Sequence, residues 1–179
     1  MGLLQAMAEA RYARFRERAY RKAEDEIGLL SENGHLGPIT MAALIRWLDT
    51  WAPLRTGRER YGEWDWGELR QQYLMPKRFE LAIWHGEDLC GLAIGTASDG
   101  NTLVSIRYLE GWPLVGHHFQ GRVLQIIAVA VAAYGREIGA QKMRFVDPYE
   151  DLIPLYEEEL GCHYVAPSGS LHGYCERVI

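Results

Sequence analysis

Cysteine is scarce in this sequence, and the few cysteines are widely spaced. The 179 residues include three cysteines, Cys90, Cys162 and Cys175, which are too far apart for a CxxC metal site. An odd number at wide spacing also argues against a disulfide framework. We therefore expect reduced thiols, no bound metal and a cytoplasmic location, because disulfides are rare in reducing compartments.

The sequence also lacks a long uninterrupted apolar run. The longest, at 123–134, contains Gln125 and is shorter than the roughly 20 residues that a transmembrane helix needs. Charged residues appear by Glu9 and Arg11, where a secretory signal would need an apolar stretch. These absences predict a protein without a signal peptide or membrane span.

Positive charge is in the minority. The chain has 19 Lys and Arg against 24 Asp and Glu, a formal net charge of −5, which argues against a nucleic-acid partner. The basic stretch at 11–22 is an exception. A solvated face of an amphipathic helix explains it, and contact with nucleic acid or a protein partner is the alternative.

The first part of the chain predicts helices. Good helix formers dominate 3–30, and further helices are predicted at 38–51 and 64–73. In the second of these, Pro38 suits the first turn, and Met41, Leu44, Ile45 and Leu48 form one apolar face.

After Lys77 the pattern changes to strands. Short runs rich in β-branched and apolar residues, joined by the turns HGED and SDGN, predict an antiparallel meander at 79–84, 89–96 and 102–109. A helix that is apolar on most of its surface follows at 120–138 and ends at Gly139. A strand at 142–146, a helix at 149–160 and strands at 163–165 and 171–178 complete the prediction.

This order of elements resembles the core of the GNAT superfamily of acyl-CoA-dependent N-acetyltransferases, and three motifs carry the resemblance. The run HHFQGRV at 117–123 is similar to the family's Arg/Gln-x-x-Gly-x-Gly/Ala motif: Gly121 matches, His118 replaces Arg or Gln, and Val123 replaces the second small residue. The run AQKMRFV at 140–146 resembles the family's fifth strand. The run LYEEELGC at 155–162 resembles Leu-Tyr-Glu-x-x-Gly-Phe, with one additional residue and Cys162 in place of the aromatic.

The resemblance covers about residues 63–179. It implies an α/β (α+β) fold with a mixed, mostly antiparallel central sheet flanked by helices. The family usually opens with a strand, whereas the first sixty residues here predict helix. We therefore divide the chain into an N-terminal helical extension, 1–60, and a GNAT-like acyltransferase domain, 61–179, packed as one compact unit.

The activity that the resemblance implies is direct transfer of an acetyl group from acetyl-CoA to a primary amine of a small molecule or protein, in a ternary complex. In the family the fourth and fifth strands splay apart around the pantetheine arm. The CoA pyrophosphate lies at the start of the following helix, where free N–H groups and the helix dipole favour an anion. The corresponding cofactor-binding residues are Leu109, His118, Phe119, Gln120, Gly121, Arg122 and Val123.

Two residues are candidates for the chemistry. Tyr156 corresponds to the family's tyrosine, which protonates the leaving thiolate, and a phenol is suited to that step. Glu110 lies at the end of a predicted strand, where a carboxylate commonly serves as the base in the family. The alternatives are a core tyrosine with its hydroxyl in water and a solvated glutamate.

The acceptor side is predicted at Trp64, Asp65 and Trp66, where aromatic rings and a carboxylate would attract a cationic amine. Core packing is the alternative for the tryptophans, and an acid at a helix N-terminus is the alternative for Asp65. A second function also stays open, a GNAT-like domain without efficient catalysis that acts as a binding or structural module. The sequence leaves open whether the chain forms a homodimer.

Overall fold

The computed structural model describes residues 2–54 and 64–179. Within these ranges the helices are α1 (Leu3–Ile27), α2 (Met41–Thr50), α3 (Trp66–Gln72), α4 (Val123–Ile138) and α5 (Ile153–Leu160). The strands are β1 (Gly34–Gly37), β2 (Arg78–His85), β3 (Asp88–Ala97), β4 (Leu103–Gly111), β5 (Lys142–Val146), β6 (His163–Val165) and β7 (Tyr174–Val178).

The strands form one sheet in the order β1-β2-β3-β4-β5-β7-β6. Neighbouring strands are antiparallel except for β4 and β5, which are parallel and are connected through α4. Helices cover both faces, so the predicted mixed, mostly antiparallel sheet flanked by helices is confirmed. The predicted meander corresponds to β2, β3 and β4, and the predicted strand at 142–146 is β5.

The two faces of the sheet bury different residues of the same strands, as the alternation along a strand requires. Phe79, Leu81 and Ile83 of β2 pack in the core beneath α1 and α4. Ala82, which lies between Leu81 and Ile83, faces the opposite core with the tryptophans of α2 and α3. Each helix layer therefore has its own apolar cluster, and the sheet separates the two.

A bulge in β4 redirects the end of that strand. Ile94 of β3 pairs with Tyr108, while the next residue, Gly95, pairs with Ile106, so Arg107 is the additional residue. A Cβ atom on Gly95 would lie 2.0 Å from the carbonyl oxygen of Ser105, so the close approach of the strands requires glycine here. Beyond the bulge, β4 continues to Gly111.

Helix α1 covers the part of the sheet edge that β1 leaves open. Strand β1 pairs only with Ala82–His85 of β2. The carbonyl of Arg78 accepts a hydrogen bond from Arg16 Nη1 at 3.2 Å, and the carbonyl of Glu80 accepts one from the Tyr20 hydroxyl. These two side chains take the place of a strand and protect the edge from pairing with another chain.

Strand β1 corrects the prediction that the first sixty residues are an entirely helical extension. Gly34–Gly37 is an edge strand of the sheet, and only α1 with its short 3-10 turn Leu29–Glu32 precedes it. Each of the two apolar clusters contains residues from before position 60 and residues from after it. The predicted boundary between residues 60 and 61 lies outside the described ranges and stays a prediction.

The apolar face predicted for α2 is largely on the solvent side. Met41, Ile45 and Leu48 are 70%, 53% and 58% exposed. The buried side of this helix carries Ala43 and Trp47 instead. A tryptophan buries far more apolar area than an isoleucine or a methionine, so its position decides which side of α2 packs on the sheet. In the described ranges, no helix combines the length and apolar character needed to cross a bilayer.

Candidate functional site

A cleft opens where β4 and β5 separate. Only Leu103–Ile106 of β4 pairs with β5, and its partner segment is Lys142–Phe145. Beyond Ile106, β4 continues to Gly111 without pairing to β5. The gap forms a cavity of about 470 Å³. Its walls come from both strands, the start of α3, the loop after β5, α5 and the loop before β7, with Trp64, Ile106, Arg107, Tyr108, Leu109, Glu110, Gly111, Phe145, Val146, Asp147, Pro148, Tyr149, Leu152, Tyr156 and His172 as lining residues.

Glu110 lies in this cleft near the end of β4 and is 5% exposed. Trp66 Nε1 donates a hydrogen bond of 2.7 Å to Glu110 Oε2. Trp66 is the first residue of α3, and its side chain is fully buried. The indole N–H therefore fixes the orientation of a carboxylate that lines the cleft.

Tyr156 lines the same cleft from α5, and its ring packs against Phe145 with centroids 5.0 Å apart. Burial raises the pKa of Tyr156 well above its ordinary value, and the neighbouring Cys175 and Cys162 thiols act in the same direction. The phenol is protonated at neutral pH, as an ordinary tyrosine is, and burial makes it a weaker acid. The structure thus brings the two predicted catalytic residues to one cavity.

The start of α4 fits an anion. No side chain caps this end of the 16-residue helix, so the N–H groups of its first turn are left for another partner. Gly121 has a φ of +79°, and no atom lies within 4 Å of the position of an added Cβ. The turn is braced by Gln120 Oε1, which accepts a hydrogen bond of 2.5 Å from the Gly116 N–H.

The two bulky residues of this turn point away from it. The side chain of Phe119 is fully buried in the main core, where its ring lies against Gly34. Val123 packs on Gly91 and Gly111. Neither side chain blocks the helix start, and the assignment of Phe119 and Val123 to cofactor binding stays a prediction that involves their backbone.

Arg122 and His118 are directed towards the turn that precedes β1. Arg122 forms a bidentate ion pair with Glu32, with distances of 2.6 and 3.1 Å. The hydrogen bond from Arg122 holds the pKa of Glu32 below its usual range. His118 Nε2 lies 3.8 Å from Glu32 Oε2, and the His118 ring stacks on His85 at 3.8 Å. The Glu32 carboxylate therefore lies beside the start of α4, and it is paired with Arg122, the nearest guanidinium group.

On the predicted acceptor side the three residues have separate roles. Trp64 is partly buried, lines the cleft and meets Tyr108 edge-on with ring centroids 5.2 Å apart. Asp65 caps α3, because its Oδ1 accepts a hydrogen bond of 3.0 Å from the Glu68 N–H. Trp66 is fully buried against Glu110, and its assignment to the acceptor side stays a prediction.

A second polar pair at the mouth of the cleft was not predicted from the sequence. His172 Nδ1 lies 2.5 Å from Asp147 Oδ2, and both residues line the cavity. Asp147 has a φ of +52°, a conformation uncommon for a residue other than glycine. Two separate loops bring the pair together, so no local motif marks it. Within 2–54 and 64–179, no cluster of three His, Cys, Asp or Glu side chains is arranged to hold a metal ion.

Comparison with solved structures identifies the fold. The GNAT domain of S. lividans PAT superposes with a TM-score of 0.59 at 12% identity, covering 82% of this chain and 90% of that one. An acetyltransferase from Thermus thermophilus gives 0.57 at 15% identity, covering 82% and 97%. The PaiA N-acetyltransferase from Thermoplasma acidophilum, solved in complex with coenzyme A, gives 0.52 at 15%, covering 82% and 99%.

No family model and no curated protein sequence matches the chain. At such low identities a structural likeness establishes the fold alone. The predicted GNAT fold is therefore confirmed, and the chemistry has to be argued from the cleft.

Proposed function

We propose that this protein is an N-acetyltransferase that transfers an acetyl group from acetyl-CoA directly to a primary amine. The observation that carries the proposal is the convergence of Glu110 and Tyr156 on the cleft between β4 and β5. One is a carboxylate oriented by an indole, and the other is a phenol, which is protonated at neutral pH. A base and an acid in one cleft are what acyl transfer between a thioester and an amine requires.

The reaction needs one proton removed and one supplied. Glu110 accepts the proton of the attacking amine, directly or through water, while the amine nitrogen bonds to the thioester carbonyl carbon. The C–S bond then breaks, and the Tyr156 hydroxyl donates to the departing sulfur. The products are an amide and free coenzyme A. No covalent enzyme intermediate is required, because holding both substrates in one cleft supplies much of the rate enhancement.

The donor end of the cleft is assigned to the start of α4. Uncapped N–H groups around Gly121 would hold the pyrophosphate, and Gln120 keeps the turn in place. Leu109 lines the cleft on β4, where the acyl arm would pass. Arg122 would contribute its charge only after leaving Glu32, and His118 lies beside that same carboxylate.

The acceptor is assigned to the end of the cleft formed by Trp64 and Tyr108. Aromatic faces attract a cationic group, and Glu110 adds a negative charge at the same end. This combination favours an amine that arrives as an ammonium ion, on a small molecule or on a protein. The ammonium ion loses one proton to solvent to become the neutral amine, and Glu110 takes the second proton as the amine attacks.

A second candidate function is a binding or structural module of the same fold that lacks efficient catalysis. The observation that favours it is the Glu32–Arg122 ion pair, which places a carboxylate beside the expected phosphate site and engages the nearest cation. Under this alternative the cleft persists, but coenzyme A does not bind at physiological concentration.

Acetyl-CoA is expected to stabilise the protein against heat, whereas sodium acetate at the same concentration is not. A ligand at one hundred times its Kd adds about 2.7 kcal/mol to the free energy of unfolding. In a chain of this size that raises Tm by about 5–10 °C. The check is a thermal melt with increasing acetyl-CoA, and the absence of any shift at millimolar concentration rejects the transferase proposal in favour of the binding module.

Replacing Tyr156 with Phe is expected to lower kcat by about 10- to 100-fold while leaving KM for acetyl-CoA nearly unchanged. The ring still packs on Phe145, and only the proton donor is lost. Steady-state kinetics with an amine acceptor measures both constants. Tyr164→Phe is the matched control, since Tyr164 lies on β6 outside the cleft lining. An unchanged kcat in Tyr156→Phe removes Tyr156 from the mechanism.

A further inference from the structure

A second cavity, of about 550 Å³, lies at the β1 edge of the sheet. It is enclosed by α1, by the segment from β1 into α2, by α3 and by the part of β2 that extends past the end of β1. Strand β3 lies between β2, which lines this cavity, and β4, which lines the cleft. Its properties are therefore independent of the proposed acetyl transfer.

Five charged side chains form a network on the wall of this cavity. Glu9 accepts hydrogen bonds from Arg16 at 2.6 Å and from two nitrogens of Arg78 at 2.7 Å. Glu80 is 1% exposed and pairs with Arg78 at 2.8 Å and with Arg70 at 2.7 Å. Three guanidinium groups thus meet two carboxylates, which leaves one positive charge. Glu17 also reaches the cavity, but it is exposed to solvent.

Arg70 carries the uncompensated part of this charge. Its Nε lies 2.7 Å from Glu80 Oε2 and 3.3 Å from the carbonyl oxygen of Ile39. Its Nη1 and the neighbouring Glu80 Oε2 are buried and make no hydrogen bond among the described residues, so charge alone holds this pair. The Arg70 side chain as a whole is 21% exposed and lines the cavity, so a ligand in the cavity can contact it.

The remaining walls are apolar. They are formed by side chains from α1, α2, the segment before α2 and the segment after α3, namely Ala13, Pro38, Ile39, Met41, Leu44 and Leu74. Met41 and Leu74 are 70% and 59% exposed, so part of this apolar surface contacts water when the cavity holds no ligand. A volume of this size with mostly apolar walls and a few polar groups is typical of a small-molecule site.

We propose that this cavity binds a monocarboxylate with a short apolar chain. The carboxylate contacts Arg70, and the chain lies along Ile39, Met41, Leu44 and Leu74. A single negative charge matches the excess of one guanidinium, whereas a phosphate dianion would leave a net negative charge beside Glu80. The planar guanidinium fork also suits a carboxylate.

The test titrates the full chain with octanoate and follows binding by calorimetry and by thermal melts. Octanoate is expected to bind and to raise Tm, whereas 1-octanol and inorganic phosphate at equal concentration raise it little or not at all. The Arg70→Gln substitution is expected to weaken octanoate binding by roughly tenfold or more, because one charged hydrogen bond is lost. Arg46→Gln, the same change on α2 outside the cavity, is the matched control and leaves binding unchanged.

A second variant covers the case in which Arg70→Gln does not fold. Leu74→Trp keeps every charge and fills the apolar end, so it is expected to exclude octanoate while the protein melts cooperatively. Equal binding of octanoate and 1-octanol shows an apolar pocket without carboxylate recognition and overturns the proposal. Binding of phosphate alone, no binding at all, or octanoate binding that survives Leu74→Trp overturns it as well.

Discussion

Replacing Glu110 with Gln is expected to lower kcat by about 100-fold or more, within the range that a general base contributes. The amide keeps an oxygen that accepts the hydrogen bond from Trp66, so the geometry of the cleft is preserved. The substitution removes the negative charge of the carboxylate and with it the ability to take a proton. Because the effect falls on the chemical step, KM for acetyl-CoA is expected to stay close to its wild-type value.

Two further variants separate a loss of the base from a loss of structure. Glu158→Gln makes the same change on an exposed position of α5 and is expected to leave kcat unchanged. Trp66→Phe retains a buried ring but removes the N–H that orients Glu110. It is expected to lower kcat by less than Glu110→Gln does.

The pH–rate profile of Trp66→Phe distinguishes a positioning role of Trp66 from a merely structural one, because a structural role would not move its acid limb. The carboxylate loses a donor that favours its charged form, so the acid limb of the pH–rate profile moves to higher pH. A full rate in Glu110→Gln contradicts the assignment of Glu110 as the base. An unmoved acid limb in Trp66→Phe contradicts the positioning role of Trp66.

The parts of the fold that local pattern determines were predicted from the sequence. The strands of the meander alternate with compact turns, and the apolar helix that ends at Gly139 is α4, which begins at Val123. Tyr156 and Glu110 were found by their places in that order of elements. In the structure both residues line one cleft. Neither sequence motif by itself shows that they lie together.

Short or ambiguous segments escaped prediction for physical reasons. Strand β1 has four residues, two of which are glycine, so neither length nor β-propensity marks it. Its stability comes from pairing with β2, a contact that lies far away in sequence. Helix α2 has apolar residues on two sides, and spacing alone does not say that Trp47 rather than Ile45 is buried.

Long-range pairs form the remaining part of the site that the sequence did not reveal. Glu32 pairs with Arg122 across a separation of 90 residues, and Trp66 reaches Glu110 across 44. Trp66 was predicted on the acceptor side because it belongs to the aromatic and acidic run Trp64-Asp65-Trp66, with core packing as the alternative. Its burial instead makes it a donor to the base, a role that depends on how α3 packs on the sheet.

The charged network at the β1 edge leads to the largest stability effect that we expect. Replacing Glu80 with Ala is expected to lower the free energy of unfolding by about 3–5 kcal/mol, because it leaves buried guanidinium groups without their counter-charge. In a chain of this size that corresponds to a fall in Tm of about 6–20 °C. Thermal and urea denaturation measure the change. Glu26→Ala is the matched control, since its pair with Arg136 is more than half exposed and is expected to contribute little.

A double variant tests whether the loss comes from uncompensated charge or only from a cavity left by the shorter side chain. Arg70→Gln removes one of the guanidinium groups that Glu80 neutralises, so in the Glu80→Ala background it is expected to recover part of the lost stability. If the penalty is purely steric, the second substitution adds to it. A gain in the double variant over Glu80→Ala alone would show that α1, α3 and β2 are held together by balanced charge.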